Sequence, residues 1–210
     1  MQAQIGDVDI AVWRSATGKL AAWLNRCPHR GMRLSHGFVR GESLACLYHG
    51  WHYGQDTVCN YIPAHPELEP PKTIQTTPFS ILETDGVLWV STDDSMDVPS
   101  LPKNLQPVRS ITFAASRDNV QKALSDTVMI NEYGSEWTVE ESSTAPDFRI
   151  WTSKDQERMV VILFQYSIDS KVIAHILTTG DWSVDAKIAV SRWCESGRRY
   201  AEQLEFDPTT

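Results

Sequence analysis

Along residues 1–92, apolar and polar positions alternate over short runs that turn residues interrupt, the pattern of a small antiparallel β structure. Val8–Arg14 and Leu20–Leu24 are apolar-rich and joined across Ala16-Thr17-Gly18, which predicts a hairpin. Ser80–Glu83 and Val87–Ser91 bracket Thr84-Asp85-Gly86, and Asp-Gly suits the tight turn of a second hairpin. Residues 93–109 carry Pro99, Pro102 and Pro107 with little apolar pattern and read as a linker. Beyond it, the pattern predicts a short helix at Arg117–Ser125. Strands follow at Trp137–Glu141, Phe148–Ser153, Arg158–Ile168 and Val172–Thr179. A long helix is predicted from Ser183 to about Glu205, where Ala186, Val190, Trp193, Tyr200 and Leu204, with Gly197 in the gap, form one apolar stripe. Ser183 suits its N-cap, and Asp185 in the first turn suits its dipole. The expected fold is therefore mainly β over residues 1–92, a linker over 93–109, and an α+β unit over 110–210 in which a meander is closed by one helix.

Composition narrows the function. The chain has 210 residues, 41% hydrophobic and 22% charged, enough for one generous domain or two small ones with real cores. A net charge of −8 gives no basic face for phosphates, so nucleic acid is not an expected partner. No apolar run nears the roughly 18 residues of a membrane helix, so no membrane association is expected. The segment MQAQIGDVDIAV lacks the basic start and apolar core of a secretory signal. Four cysteines are too sparse for a disulfide scaffold, which makes a cytoplasmic setting the expectation and metal binding the sharper question.

The informative residues are Cys27-Pro28-His29-Arg30-Gly31 and Cys46-Leu47-Tyr48-His49-Gly50-Trp51, with sixteen residues between His29 and Cys46. Two thiolates and two imidazoles in separate loops fit zinc or an iron–sulfur centre. A zinc finger groups its cysteines in one knuckle and its histidines on a helix, whereas here each loop carries one of each. That mixed order suits a [2Fe–2S] cluster with one iron on Cys27 and Cys46 and the other on His29 and His49. Gly31 and Gly50 follow the pairs, where backbone without a Cβ comes close and aims N–H groups at sulfur.

C-P-H-R-G with C-x-x-H-G-W resembles the Rieske iron–sulfur signature, in the form found at the N-terminus of Rieske oxygenase α-subunits, the ring-hydroxylating and demethylating non-haem iron enzymes. The resemblance covers roughly residues 6–92. It implies a small antiparallel β domain with two cluster-binding loops, followed by a reduced helix-grip-like α+β domain ending in a long helix. The family carries another strand or two before the position of Ile5, so this chain starts late, as an incomplete start or a degenerate paralogue would. Respiratory members add two disulfide-bonded cysteines beside the ligands and a serine directed at a bridging sulfur. Here those positions are Met32, Tyr48 and Trp51. Fewer hydrogen bonds to sulfur predict a potential near the low end of the roughly −150 to +300 mV Rieske span. Such a poise implies a ferredoxin or flavin reductase as electron donor. The outer nitrogens of His29 and His49 are expected at the surface, with Trp51 and Tyr48 packing over the centre.

The oxygenases also hold a mononuclear iron on D-x₂-H-x₄-H. After the linker this chain has one histidine, His175, and a register that places Asp126 on the family's aspartate puts Met129 and Gly134 at the two histidine positions. A mononuclear iron(II) is therefore not expected. His175, in an apolar strand, reads as a hydrogen-bonded core histidine; His36, His52 and His65 read as loop or surface residues. Cys59 and Cys194 are single thiols, the latter a buried apolar residue. Glu140, Glu141, Asp181 and Asp185 read as surface charges. Arg26, Arg30, Arg33 and Arg40 either steer an acidic redox partner or form an ordinary solvated face. Three functions remain in view. One is an electron-transfer component that serves a partner oxygenase subunit. A second is an oxygenase of dioxygenase-like type with an atypical or partner-completed iron site, and the third is a structural or redox-sensing subunit. The family's trimers also raise a homo-oligomer, which the shortened second domain does not by itself secure.

Overall fold

The computed structural model describes residues 1–93, 96–127, 137–140, 147–153, 158–166 and 171–206. The chain divides into two compact units, Met1–Val98 and Pro99–Thr210.

In the first unit β1 (Gln2–Ile5), β2 (Val8–Arg14) and β3 (Leu20–Leu24) form an antiparallel meander. A 3₁₀ turn at Leu34–His36 leads into β4 (Phe38–Arg40), β5 (Ser43–Ala45), β6 (His52–Gly54) and β7 (Cys59–Tyr61), a four-stranded sheet in that order. Finally β8 (Pro78–Thr84) and β9 (Val87–Ser91) return to the first sheet, whose order is β1-β2-β3-β8-β9. The hairpins β2–β3 and β8–β9 lie where the alternation predicts them. The strands β4–β7 are only three residues long and leave too few positions for a period to show.

Alternation along β2 feeds two cores. Ile10 and Val12 pack with Ala22, Phe79, Ile81 and Val90 on one face. Ala11 and Trp13 face the other way, towards Trp23, Leu34, Leu44, Tyr53 and Ile62, and this second core also contains Cys27, Cys46 and Cys59. Trp13 meets Trp23 edge to face at 4.9 Å, the geometry that aromatic quadrupoles prefer.

The second unit opens with β10 (Leu105–Phe113), so residues 105–109 are strand and not linker, a correction to the proline reading. Pro107 is tolerated because β10 is the edge of its sheet and the register slips between Pro107 and Arg109. Helix α1 (Arg117–Asp126) is followed by β11 (Trp137–Glu140), β12 (Phe148–Ser153), β13 (Met159–Tyr166), β14 (Val172–Thr179) and helix α2 (Val184–Phe206). The sheet is antiparallel throughout, in the order β10-β14-β13-β12-β11. Glu141 and Ile168, placed in strands by the sequence pattern, lie outside the described residues.

Ser183 Oγ accepts the Ala186 N–H at 3.1 Å and caps α2 as expected. The buried stripe of α2 is Ala186, Val190, Trp193, Cys194, Gly197 and Ala201; Tyr200 is only partly buried against the core, and Leu204 is half-exposed. The space between helices and sheet is filled by Phe113, Leu124, Trp151, Phe164 and Trp193, with Trp151 and Trp193 edge to face at 5.1 Å. Cys194 is fully buried in this core, which pushes its thiol up to about 12. A Cβ on Gly197 would lie 2.8 Å from Leu124 Cδ2, so glycine sets how closely the two helices approach. No described helix is long and apolar enough to cross a membrane.

Candidate metal centre

The two motif loops are built alike. In each, the cysteine N–H is donated to the carbonyl five residues on, Cys27 to Met32 at 2.8 Å and Cys46 to Trp51 at 2.9 Å. The glycine four residues on returns its N–H to the cysteine carbonyl, Gly31 to Cys27 at 2.8 Å and Gly50 to Cys46 at 3.0 Å. That turn needs a positive φ, which Gly31 (72°) and Gly50 (69°) adopt without a Cβ penalty. A Cβ on Gly50 would also press against Pro63 Cγ at 3.0 Å. The turn draws both thiols into the core, where Cys27 and Cys46 are each 3% exposed, and pushes the histidines outward. His29 is half-buried and His49 exposed.

Four donors thus stand as two pairs. The Cys27 and Cys46 sulfurs lie within each other's field; burial, more than this neighbour, pushes the Cys46 thiol up, while the N–H groups of Tyr48 and His49 oppose the shift. The His29 and His49 rings are 4.8 Å apart. Among the described residues no group of three or more His, Cys, Asp or Glu side chains is placed to hold one metal ion. Trp51 stacks on His29 at 4.1 Å and 5°, and Tyr48 stacks on His49 at 3.8 Å and 27° while remaining 53% exposed. The pKa of His29 is lowered by desolvation first, then by His49 and Arg30.

Sequence reasoning did not pick out Tyr53. Its hydroxyl lies 3.1 Å from Cys27 Sγ beneath the loops. Burial, the bond to Cys27 and the nearby thiols hold its pKa far above the ordinary tyrosine value, so it stays a donor. No local pattern marks it, since Tyr53 sits in the three-residue β6 and meets Cys27 across 26 residues of chain. Cys59 is buried in the same core with its sulfur 3.8 Å from the Tyr61 carbonyl, and burial raises its pKa.

Other candidates take ordinary roles. His175 Nδ1 meets Ser110 Oγ at 2.7 Å and Nε2 meets Gln165 Oε1 at 3.2 Å, so it is hydrogen-bonded as expected; it is half-buried and outside the core cluster, a correction to the core reading. Asp126 accepts Lys122 Nζ at 2.7 Å on the surface of α1. Met129, Gly134 and Glu141 lie outside the described residues, Glu140 is in β11, and Asp181 and Asp185 are exposed. His36 and His65 are exposed, but His52 sits half-buried in β6 against Tyr61 at 5.1 Å, not in a loop. Of the four arginines, Arg33 pairs with Asp9 at 3.0 Å and Arg40 lies over Phe38 at 5.4 Å. Arg26 and Arg30 are exposed and line a groove of about 310 Å³ with Pro28 and His29.

Residues 1–96 match the family model described as Rieske [2Fe-2S] domain. These residues are a Rieske [2Fe–2S] domain. The Rieske unit and its companion together are 30% identical to "Oxidoreductase NdmD" of Pseudomonas putida, over 95% of this chain and 36% of that protein. Similarity to "Methylxanthine N1-demethylase NdmA" of the same organism is 37%, but over only 39% of this chain and 23% of that protein. The chain thus spans about a third or less of the curated relatives it matches. Among solved structures, Pseudomonas putida NdmB superposes with a TM-score of 0.70 at 16% identity, covering 100% of this chain and 78% of that one. At that identity the likeness is one of fold.

The cluster that such a domain implies fits the residues present: two buried sulfurs, each met by hydroxyl or backbone donors, and two imidazoles held by aromatic stacking.

Proposed function

We propose that this chain is a one-electron carrier, in which Cys27 and Cys46 hold one iron of a [2Fe–2S] cluster and His29 and His49 the other. Bound there, the cluster supplies a one-electron couple. The chain's own residues do the rest. The cysteines are sealed in a core of Trp13, Trp23, Leu34 and Leu44 that keeps water from the sulfur side. His49 presents its imidazole at the surface, the shortest exit for an electron. Arg26 and Arg30 line the groove beside His29, the other proposed imidazole ligand, and favour an acidic donor, a ferredoxin or flavin reductase; an oxygenase subunit is the acceptor.

The observation that carries this reading is the split of burial between the pairs, sulfurs inside and imidazoles outside. The extent of sequence similarity supports it: likeness to an oxidoreductase covers 95% of this chain, whereas sequence likeness to a demethylase covers 39% of it. Metal analysis of the full chain tests it. Two irons and two acid-labile sulfides per chain are expected. Replacing His49 by Ala should bleach the visible absorption and abolish the EPR signal of the reduced protein; a His49→Ala protein with both intact has its ligands elsewhere.

A second reading, an oxygenase completed by an atypical iron site, draws on the fold likeness to NdmB across the whole chain. A third iron per chain, lost on mild chelation, would favour it.

A further inference from the structure

The two ligand loops are closed by different means. The second is a hairpin loop, and Ala45 and His52 at its ends pair directly in the β5–β6 ladder. The first has no ladder, because it runs from β3 into the 3₁₀ turn at Leu34–His36. Side chains close it instead. Asn25, two residues before Cys27 and 3% exposed, donates from Nδ2 to Asp9 Oδ1 (3.0 Å) and to Ser35 Oγ (2.8 Å), and accepts the Ser35 N–H on Oδ1 (2.7 Å). Its backbone N–H is donated to the Asp9 carbonyl at 2.8 Å. The Asp9 carboxylate also accepts Gln2 Nε2 on Oδ1 (2.8 Å) and Arg33 Nε on Oδ2 (3.0 Å). One carboxylate and one buried amide therefore join the entry of the loop at residue 25 to its exit at residues 33 and 35.

From this we infer that Asp9, Asn25 and Ser35 form a clasp that holds the Cys27–Met32 loop shut and positions Cys27 and His29 to retain the cluster. The inference rests on the ligand assignment proposed above. Every hydrogen-bonding position of the Asn25 amide group but one lone pair is used, so truncation strands buried partners instead of merely shortening a side chain. Aliphatic replacement cannot restore the link, whereas exchanging the two side chains keeps one donor facing one acceptor.

The test uses the full chain, prepared anaerobically with its cluster. A ferrous-iron chelator is added, and the fall in visible absorption is followed for the wild type and for Asn25→Ala, Asp9→Ala, Ser35→Ala and the exchange Asp9→Asn/Asn25→Asp. Glu42→Ala is the control, since Glu42 bonds Thr17 at 3.0 and 2.8 Å in the same unit without touching either ligand loop. Asn25→Ala and Asp9→Ala should release iron roughly tenfold faster, the scale of one lost hydrogen bond to a charged group. They should also shift the g-values of the reduced cluster. The exchange should recover most of the wild-type rate, and Glu42→Ala should match wild type even where its melting temperature falls. Release at the wild-type rate in Asn25→Ala and Asp9→Ala would overturn the clasp, as would equal acceleration in Glu42→Ala at the same loss of melting temperature. If Asn25→Ala does not fold, Ser35→Ala removes only the hydroxyl and carries the same comparison with a smaller expected effect. A wild-type protein with no cluster would instead defeat the ligand assignment itself.

Discussion

Beneath the ligand loops, the Tyr53 hydroxyl is placed as a side-chain donor on a proposed ligand sulfur. Once Cys27 is a thiolate, only Tyr53 can donate in that pair. A donor to sulfur stabilises the more negative reduced state more than the oxidised one. Tyr53→Phe should therefore lower the midpoint potential by about 1 kcal/mol of differential hydrogen bonding, on the order of 50 mV for a one-electron couple. The EPR signal should persist, and an unchanged potential in a redox titration would remove this role. Trp51 offers no hydroxyl, so the wild-type midpoint is expected in the lower part of the Rieske range, below about +100 mV. The four proposed ligands were legible because each pair lies within one loop of a few residues. Tyr53 was not, because its meeting with Cys27 spans 26 residues and depends on how β6 seats beneath the first loop. Asn25 escaped notice for the same reason: a buried asparagine announces itself only through partners distant in sequence.

Among the elements, those with a long apolar period were legible nearly to the residue, as β2, β3, β14, α1 and α2 show. The start of β10 was not, since Pro107 reads as a breaker unless its strand is known to lie at an edge. The closeness of α1 and α2 was equally hidden; a glycine in a stripe says nothing of the Leu124 that fills its place. Gly197→Ala should destabilise the second unit by about 1–3 kcal/mol through overpacking. Thermal unfolding followed by far-UV circular dichroism would measure it, and a neutral result would mean that Leu124 can swing away. The same unit carries a pH response. Burial lowers the pKa of His175 from its ordinary 6.5, so the folded unit binds its proton less readily than the unfolded chain. Stability should then be full above about pH 6.5 and decline as pH falls below it, since the unfolded state takes up the extra proton. His175→Gln, which keeps a neutral hydrogen-bonding side chain between Ser110 and Gln165, should flatten that decline in denaturant titrations at pH 5 to 7.5 (roughly the window of an ordinary histidine).

For the molecule as a whole, charge is segregated along the chain. The net charge is −8, yet no acidic residue occurs between Asp9 and Glu42, a stretch that holds Arg14, Lys19, Arg26, Arg30, Arg33 and Arg40. The composition alone could not say whether these arginines steer a partner or satisfy local needs. The structure divides them, with Arg33 on Asp9, Arg40 on Phe38, and Arg26 and Arg30 beside the His29 edge. Positive charge at the first ligand loop orients the Rieske unit in the field of an acidic donor, loop first, and salt screens that field over roughly 8–10 Å. Reversing both charges, Arg26→Glu with Arg30→Glu, should slow reduction by an acidic ferredoxin-type donor about tenfold at low ionic strength. Added salt should then narrow the gap, because screening weakens attraction in the wild type and repulsion in the variant. Reversing Arg40 alone should change the rate far less, since its guanidinium is turned onto the Phe38 ring. Stopped-flow reduction across a salt series reads both effects. If the double reversal left the rate and its salt dependence unchanged, the donor would have to approach by a surface other than the tips of the two ligand loops.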